Sequence, residues 1–110
     1  MTGVQTCALP ILQLTELDCD GNNLSSLDVS HNTQLKELFC SSNQLTDLDV
    51  SHNTQLKVLY CYENTLNSLD VLQNTQLKEL FCGSNNFTTA ALDDIYCALP
   101  DRNDSTNGVI

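Results

Sequence analysis

The sequence predicts a mostly-β solenoid: stacked coils whose first strands form one parallel sheet of about four strands, with short second parallel strands on the back and one C-terminal helix. Two repeating stretches predict it. The segments "LTELDCDGNNL", "LKELFCSSNQL", "LKVLYCYENTL" and "LKELFCGSNNF" begin at Leu14, Leu35, Leu56 and Leu77, 21 residues apart. Each keeps apolar, cysteine and asparagine residues in the same slots, and a fixed period in this range marks a stacked-coil architecture. Between them "LDVSHNTQL" occurs at 27–35 and 48–56 and returns as "LDVLQNTQL" at 69–77, so each coil divides into halves of 10 and 11 residues.

The first half reads as a strand. Alternate side chains of a strand face opposite sides, so Leu38 and Cys40 point into the coil while Glu37 and Phe39 point out. The second half offers Leu27/Val29, Leu48/Val50 and Leu69/Val71, apolar residues two apart with β-branched valine second, which predicts a short back strand. Two asparagine columns, Asn22/Asn43/Asn64/Asn85 and Asn32/Asn53/Asn74, stand where the chain leaves each strand. Their amides can pair backbone groups that a tight turn would otherwise leave unsatisfied. One coil cannot bury both faces of its own apolar set, so stability belongs to the stack.

Cys19, Cys40, Cys61 and Cys82 occupy one repeat position, and three roles compete for it. Neighbouring strands lie about 4.8 Å apart, which sets sulfurs in a straight row. Tetrahedral zinc, with Zn–S about 2.3 Å, needs its sulfurs wrapped around a centre at about 3.8 Å from one another. Disulfides between adjacent coils fit better, although parallel Cβ vectors at about 4.8 Å overshoot the mean of about 3.8 Å that a bridge prefers. Reduced cysteine, a small and readily buried hydrophobe, fits best. His31 and His52 share a position with Gln73, which reads as a solvated edge. The column Asp28/Asp49/Asp70 could invite calcium, yet the glycine-rich nonapeptide of calcium-binding coils is absent. Hydrogen bonds to turn hydroxyls, or plain solvation, account for it better.

The pattern L-x-x-L-x-C-x-x-N-x-L over residues 14–88 resembles the leucine-rich repeat family, with cysteine in the third apolar slot of every coil. That resemblance implies a parallel sheet along the concave face and a role in recognition; the residues themselves point to no catalytic set, no metal and no cofactor. The divisions expected are repeats over 12–88, and over 89–110 the helix of a terminal coil, a polar loop and the start of a further strand at Val109 and Ile110. The closing stretch resembles the terminal repeats of secreted bacterial proteins with this cysteine-type coil. The chain is accordingly expected to be a piece of a larger extracellular or cell-surface protein. Residues 1–11, "MTGVQTCALPI", stand outside the repeat and resemble a translated sequencing-library adapter.

The helix is predicted from "TTAALDDIYCALPD". Thr88 or Thr89 can cap it, Leu92, Ile95, Tyr96 and Leu99 follow helical spacing, and Pro100 ends it. Cys97 falls off that apolar stripe, beside Asp93 and Asp94.

Charge and hydropathy exclude two classes of partner. The net charge is −10, and three of the four basic residues, Lys36, Lys57 and Lys78, share one column, so the cationic footprint that nucleic acid requires is missing. No apolar run is long enough to span a membrane.

Functional residues are sought among the outward columns of the first strand and the turn after it: Glu16/Glu37/Val58/Glu79, Asp18/Phe39/Tyr60/Phe81, Asp20/Ser41/Tyr62/Gly83 and Gly21/Ser42/Glu63/Ser84. Phe39, Tyr60 and Phe81 form an aromatic stripe, widened by Tyr62 and flanked by Glu37 and Glu79, in a chain with only 5% aromatic residues. Exposed apolar patches rimmed by charge mark interaction sites, and aromatics dominate contact hot spots. These six residues are the candidate ligand-binding set for a protein or glycan on the concave face. Aromatics also stack along sheets for stability alone. The alternative is therefore a structural spacer whose functional domain lies elsewhere, and the unchanged "KELF" at 36 and 78 speaks for it. No nucleophile, base and orienting group occur together outside repeat positions, so an enzyme is not expected.

Overall fold

A computed structural model of the chain describes residues 13–98. The opening segment 1–11, the stretch from Leu99 to the Val109–Ile110 end, and the side chain of Cys97 lie outside the described residues. Four strands follow one another along the chain, β1 (Glu16–Asp18), β2 (Glu37–Phe39), β3 (Val58–Tyr60) and β4 (Glu79–Phe81), before the helix α1 (Thr89–Ala98). The strands form one parallel sheet in sequence order. Its register sets Leu17, Leu38, Leu59 and Leu80 directly over one another, the stacking that the 21-residue period requires.

Hydrogen bonds between coils continue past each strand. Cys19, Cys40 and Cys61 donate their N–H groups to Phe39, Tyr60 and Phe81 carbonyls at 2.8 Å, and Gly21, Ser42 and Glu63 donate to Ser41, Tyr62 and Gly83 at 3.0 Å. Inside the stack the core runs continuously from Leu17 to Ile95, through the leucine, cysteine and valine columns. Leu35, Leu38, Leu56 and Leu59 are wholly buried, and Leu17 in β1 retains 9% exposure. Burying one such leucine contributes about 1.5–3 kcal/mol.

The back of the coil differs from expectation. Among the described residues the Leu27–Val29, Leu48–Val50 and Leu69–Val71 segments form no second sheet. Their apolar residues do point inward, with Val29, Val50 and Val71 buried, but the groups a ladder would use are engaged elsewhere. The N–H groups of Ser30, Ser51 and Leu72 each donate to the carboxylate two residues earlier, on Asp28, Asp49 and Asp70, at 2.9 Å. The Val29 carbonyl accepts from Asn32 N–H and from the Asn53 amide of the next coil. Local turns have displaced the ladder. They also explain the aspartate column: Ser30 Oγ donates to Asp28 Oδ1 at 2.6 Å, and hydrogen bonds from Ser30 and Ser51 hold the Asp28 and Asp49 carboxyls below the usual carboxylate range. His31 and His52 are exposed on the same turns.

The front asparagines tie each coil to the one before it. Asn64 Nδ2 donates to the carbonyls of Cys61 and Tyr62 in its own coil and of Cys40 in the preceding coil, while its Oδ1 accepts Leu45 N–H at 2.9 Å. Asn43 and Asn85 repeat the arrangement. The back asparagines are less complete. Asn53 and Asn74 donate across coils, yet their buried Oδ1 atoms accept no hydrogen bond among the described residues.

One backbone requirement was not read from the sequence. Gly21, Ser42, Glu63 and Ser84, a single column, have φ of 71°, 58°, 56° and 54°. Left-handed backbone costs a non-glycine residue about 1–2 kcal/mol, and three coils carry it. The turn is needed to swing the front asparagine beneath its carbonyls. Gly21 was the visible sign.

The helix forms where expected, with Thr88 as its cap: Oγ1 accepts Ala91 N–H at 3.1 Å. Ile95 is buried and Leu92 packs against the core, but Tyr96 is 44% exposed. The buried stripe is narrower than the spacing of apolar residues predicted.

Cys19, Cys40, Cys61 and Cys82 are buried and form no disulfide among the described residues. Burial pushes Cys19 and Cys82 up to about 11 and the more deeply buried Cys40 and Cys61 further still. Two expectations follow from the interior. Asn64→Ala leaves the buried Leu45 N–H without its acceptor, at a cost of about 1–3 kcal/mol, and removes one donor each from the Cys40, Cys61 and Tyr62 carbonyls. Its urea midpoint should therefore fall well below that of Asn22→Ala, since among the described residues the Asn22 amide bonds only to the Cys19 and Asp20 carbonyls of its own coil. An equal fall in the two variants would contradict the ladder. The second concerns pH. Unfolded thiols ionise near about 8.5, and the folded ones only at higher pH, so above that point the native state holds more protons than the unfolded one. Stability is full below about pH 8.5 and falls as pH rises toward about 11. Denaturant melts across that range should show the fall, and Cys40→Ala with Cys61→Ala should flatten it.

Candidate functional site

The sheet register assembles the candidate site. Phe39 pairs with Tyr60 and Tyr60 with Phe81 across β2, β3 and β4, and all three are half-buried beside the constant leucine row. Because Leu38, Leu59 and Leu80 point inward, the residues on either side of each must point out. Glu37 and Glu79 stand two residues before the rings on the same face, with Val58 between them in the column.

The rings form a continuous contact. Tyr60 and Phe81 stack with centroids 4.5 Å apart and planes at 23°, while Phe39 meets Tyr60 edge-on at 5.0 Å and 87°. Tyr62 lies 6.4 Å from Tyr60 at 46°, widening the patch. Such pairs contribute about 0.5–1.5 kcal/mol each beyond area burial, so the stripe stabilises the sheet to some extent as well as presenting apolar surface. Tyr60 Oη donates to Glu79 Oε1 at 2.9 Å, which raises the phenol above its ordinary range and couples ring to carboxylate.

The structure thus brings Phe39, Tyr60, Phe81, Tyr62 and Glu79 into one connected cluster. Glu37 stands on the same face and accepts no hydrogen bond or ion pair among the described residues. The third outward column divides. Tyr62 joins the face, but Ser41 is buried: its N–H donates to Asp20 Oδ1 at 2.6 Å and its Oγ accepts Tyr62 N–H at 3.1 Å. Ser41 therefore holds coils together. Asp20 is drawn into the same contact, and desolvation raises its carboxyl. In the fourth column Ser42 Oγ donates to Glu63 Oε1 at 2.6 Å, fixing that carboxylate at the rim. No sequence signal announced the Tyr60–Glu79 or Ser42–Glu63 bonds, which depend on side-chain reach across coils.

Among the described residues no group of three or more His, Cys, Asp or Glu could hold a metal ion, and no helix is long and apolar enough to cross a membrane. The arrangement offers a flat aromatic strip with carboxylates on both borders.

A one-sheet stack with leucine, cysteine and asparagine in fixed slots defines the class: the chain is a leucine-rich repeat solenoid. It is similar to the functional domain of InlJ from Listeria monocytogenes, which includes a cysteine ladder, at 38% identity and a TM-score of 0.74, over 84% of this chain and 20% of that one. A leucine-rich repeat protein of Leptospira interrogans is 23% identical with a TM-score of 0.60, over 76% of this chain and 29% of that one. An internalin, InlF, from Listeria monocytogenes is 18% identical with a TM-score of 0.50, over 72% and 31%. These last two likenesses concern the fold alone. No protein-family model matches the sequence, and no curated protein does. The chain spans about a fifth to a third of the length of the three solved structures.

The Tyr60–Glu79 bond makes a direct expectation. In a spectrophotometric titration, Tyr60 should ionise at higher pH than an unencumbered phenol, because ionisation breaks a hydrogen bond and sets two negative charges together. Glu79→Gln should move that phase down, and Glu37→Gln should leave it nearly in place. Coincident titrations for wild type and Glu79→Gln would show that the bond does not persist in solution.

Proposed function

We propose that the chain is a non-catalytic recognition module that docks a protein partner on the outward face of β1–β4. Phe39, Tyr60, Phe81 and Tyr62 supply the apolar contact, with Glu37 and Glu79 at its border. The observation that carries this reading is the continuous ring contact on the side of the sheet away from the core. Partners gain most from large aromatic anchors of this kind, and leucine-rich repeat neighbours support a binding role. In keeping with the bacterial proteins it is similar to, the reading places the module at the cell surface or outside the cell.

Catalysis is not part of the reading, since the titratable groups of the face are repeat-position residues or their hydrogen-bonded neighbours. A spacer role would leave the stripe as reinforcement. The two readings separate in one experiment, in which wild type and a Phe39→Ser/Tyr60→Ser/Phe81→Ser variant are screened on protein and glycan arrays, with circular dichroism confirming that both are folded. Truncating hot-spot aromatics costs about 2 kcal/mol or more each, so binding to a protein hit should fall at least about 30-fold in the triple variant. Undiminished binding by the folded variant would reduce the stripe to reinforcement.

A further inference from the structure

The outward face is polarised as well as aromatic. Asp18 heads the ring column on β1, Glu37 precedes Phe39 on β2, and Glu63 stands at the rim beyond Tyr62. Lysines 36, 57 and 78 line the entrance to the strands, yet none forms an ion pair with these carboxylates among the described residues. The acidic side of the face is therefore left uncompensated, in a chain whose net charge is −10.

Ring orientation singles out one position. Tyr60 and Phe81 stack on each other, so the flat faces between them are occupied. Phe39 is turned 87° from Tyr60, and its flat faces do not stack with the other rings. Asp18 is its register partner on β1, and Glu37 lies two residues before it on the same side. A ring with one carboxylate across the register and another two residues back on the same face suits a guanidinium, which is planar, stacks on rings and forms bidentate hydrogen bonds with carboxylates. A lysine ammonium would gain the charge interaction without the stacking.

We propose that this face binds a cationic protein segment, with an arginine of that segment lying on Phe39 between Asp18 and Glu37. The inference rests on the docking reading above and adds the chemistry of the partner. The aromatic stripe supplies apolar contact to either side of the arginine, and the uncompensated carboxylates draw the segment in and exclude acidic partners.

The test uses three synthetic peptides, alternating Ser with Arg, with Lys or with Asp, titrated against the chain at low and high salt. Arg–Ser should bind, Lys–Ser should bind about tenfold more weakly, and Asp–Ser should not bind. Affinity for Arg–Ser should drop as salt rises. Glu37→Gln should weaken it about tenfold, and Phe39→Leu, which keeps the apolar bulk, should erase the preference for Arg over Lys. Asp94→Asn on α1 removes the same charge at a distance and should change little. Equal weakening by Glu37→Gln and Asp94→Asn would overturn the proposal, because it would reduce the effect to diffuse attraction by an acidic chain. A stripe-dependent array partner that is acidic, or an uncharged glycan, would also overturn it while leaving the docking face standing. Array binding that ignores the stripe would instead remove the docking reading itself.

Discussion

The asparagine that closes the front turn of each coil is the contact on which the other features depend. Its amide reaches two carbonyls of its own coil and one of the preceding coil, and in Asn43, Asn64 and Asn85 the oxygen accepts a further N–H from that preceding coil. A coil that lacks its neighbour leaves this set incomplete, so the smallest stable unit is more than one coil. Among the described residues Asn22 bonds only within its own turn, and Leu17 is the most exposed strand leucine. The left-handed residue in each front turn belongs to the same requirement, since only that bend sets the asparagine under its carbonyls. Ser42, Glu63 and Ser84 accept a strain of about 1–2 kcal/mol that glycine would avoid, and the hydrogen bonds closed by the turn offset it.

This interior leaves the outward face free to vary. Each face side chain is placed by the register of the buried residue beside it: Leu38 and Leu59 are superposed, so Phe39 and Tyr60 are too. Cysteine contributes by being small. A third leucine in each coil would demand more volume from a core already filled by Leu35, Leu45 and Val50, all essentially buried, whereas the smaller thiol fits. Its raised ionisation range follows from that placement and leaves it without the thiolate that disulfide exchange or metal binding would need.

The stacking, the inward leucines and cysteines, the pairing role of the front asparagines and the capped helix were legible because each is a positional property that a fixed period repeats. What escaped the sequence depends on reach and on competition. Leu27 and Val29 have the spacing of a strand, but a hydrogen-bonding Asp28 between them captures Ser30 N–H and ends the ladder. Ser41 occupies an outward slot and is nevertheless covered, because Asp20 of the previous coil folds over it. The left-handed column was obscured because only one of its four members is glycine. Of the candidate site, membership was readable and mutual orientation was not: the difference between stacked Tyr60–Phe81 and edge-on Phe39–Tyr60 has no counterpart in the residue letters.

Orientation also bears on the electrostatics of the face. Glu16 and Glu37 are direct register partners, and like charges directly opposite on neighbouring strands destabilise a sheet. Val58 interrupts the same column before Glu79, and Glu79 is engaged by the Tyr60 hydroxyl, so the repulsion is concentrated at the β1–β2 end, beside Phe39, the ring that meets Tyr60 edge-on rather than stacked. A stack held together by apolar columns and amide ladders tolerates that local cost. Positive charge arriving from a partner would relieve it, so part of the binding energy at this end would come from repulsion already present in the unbound chain.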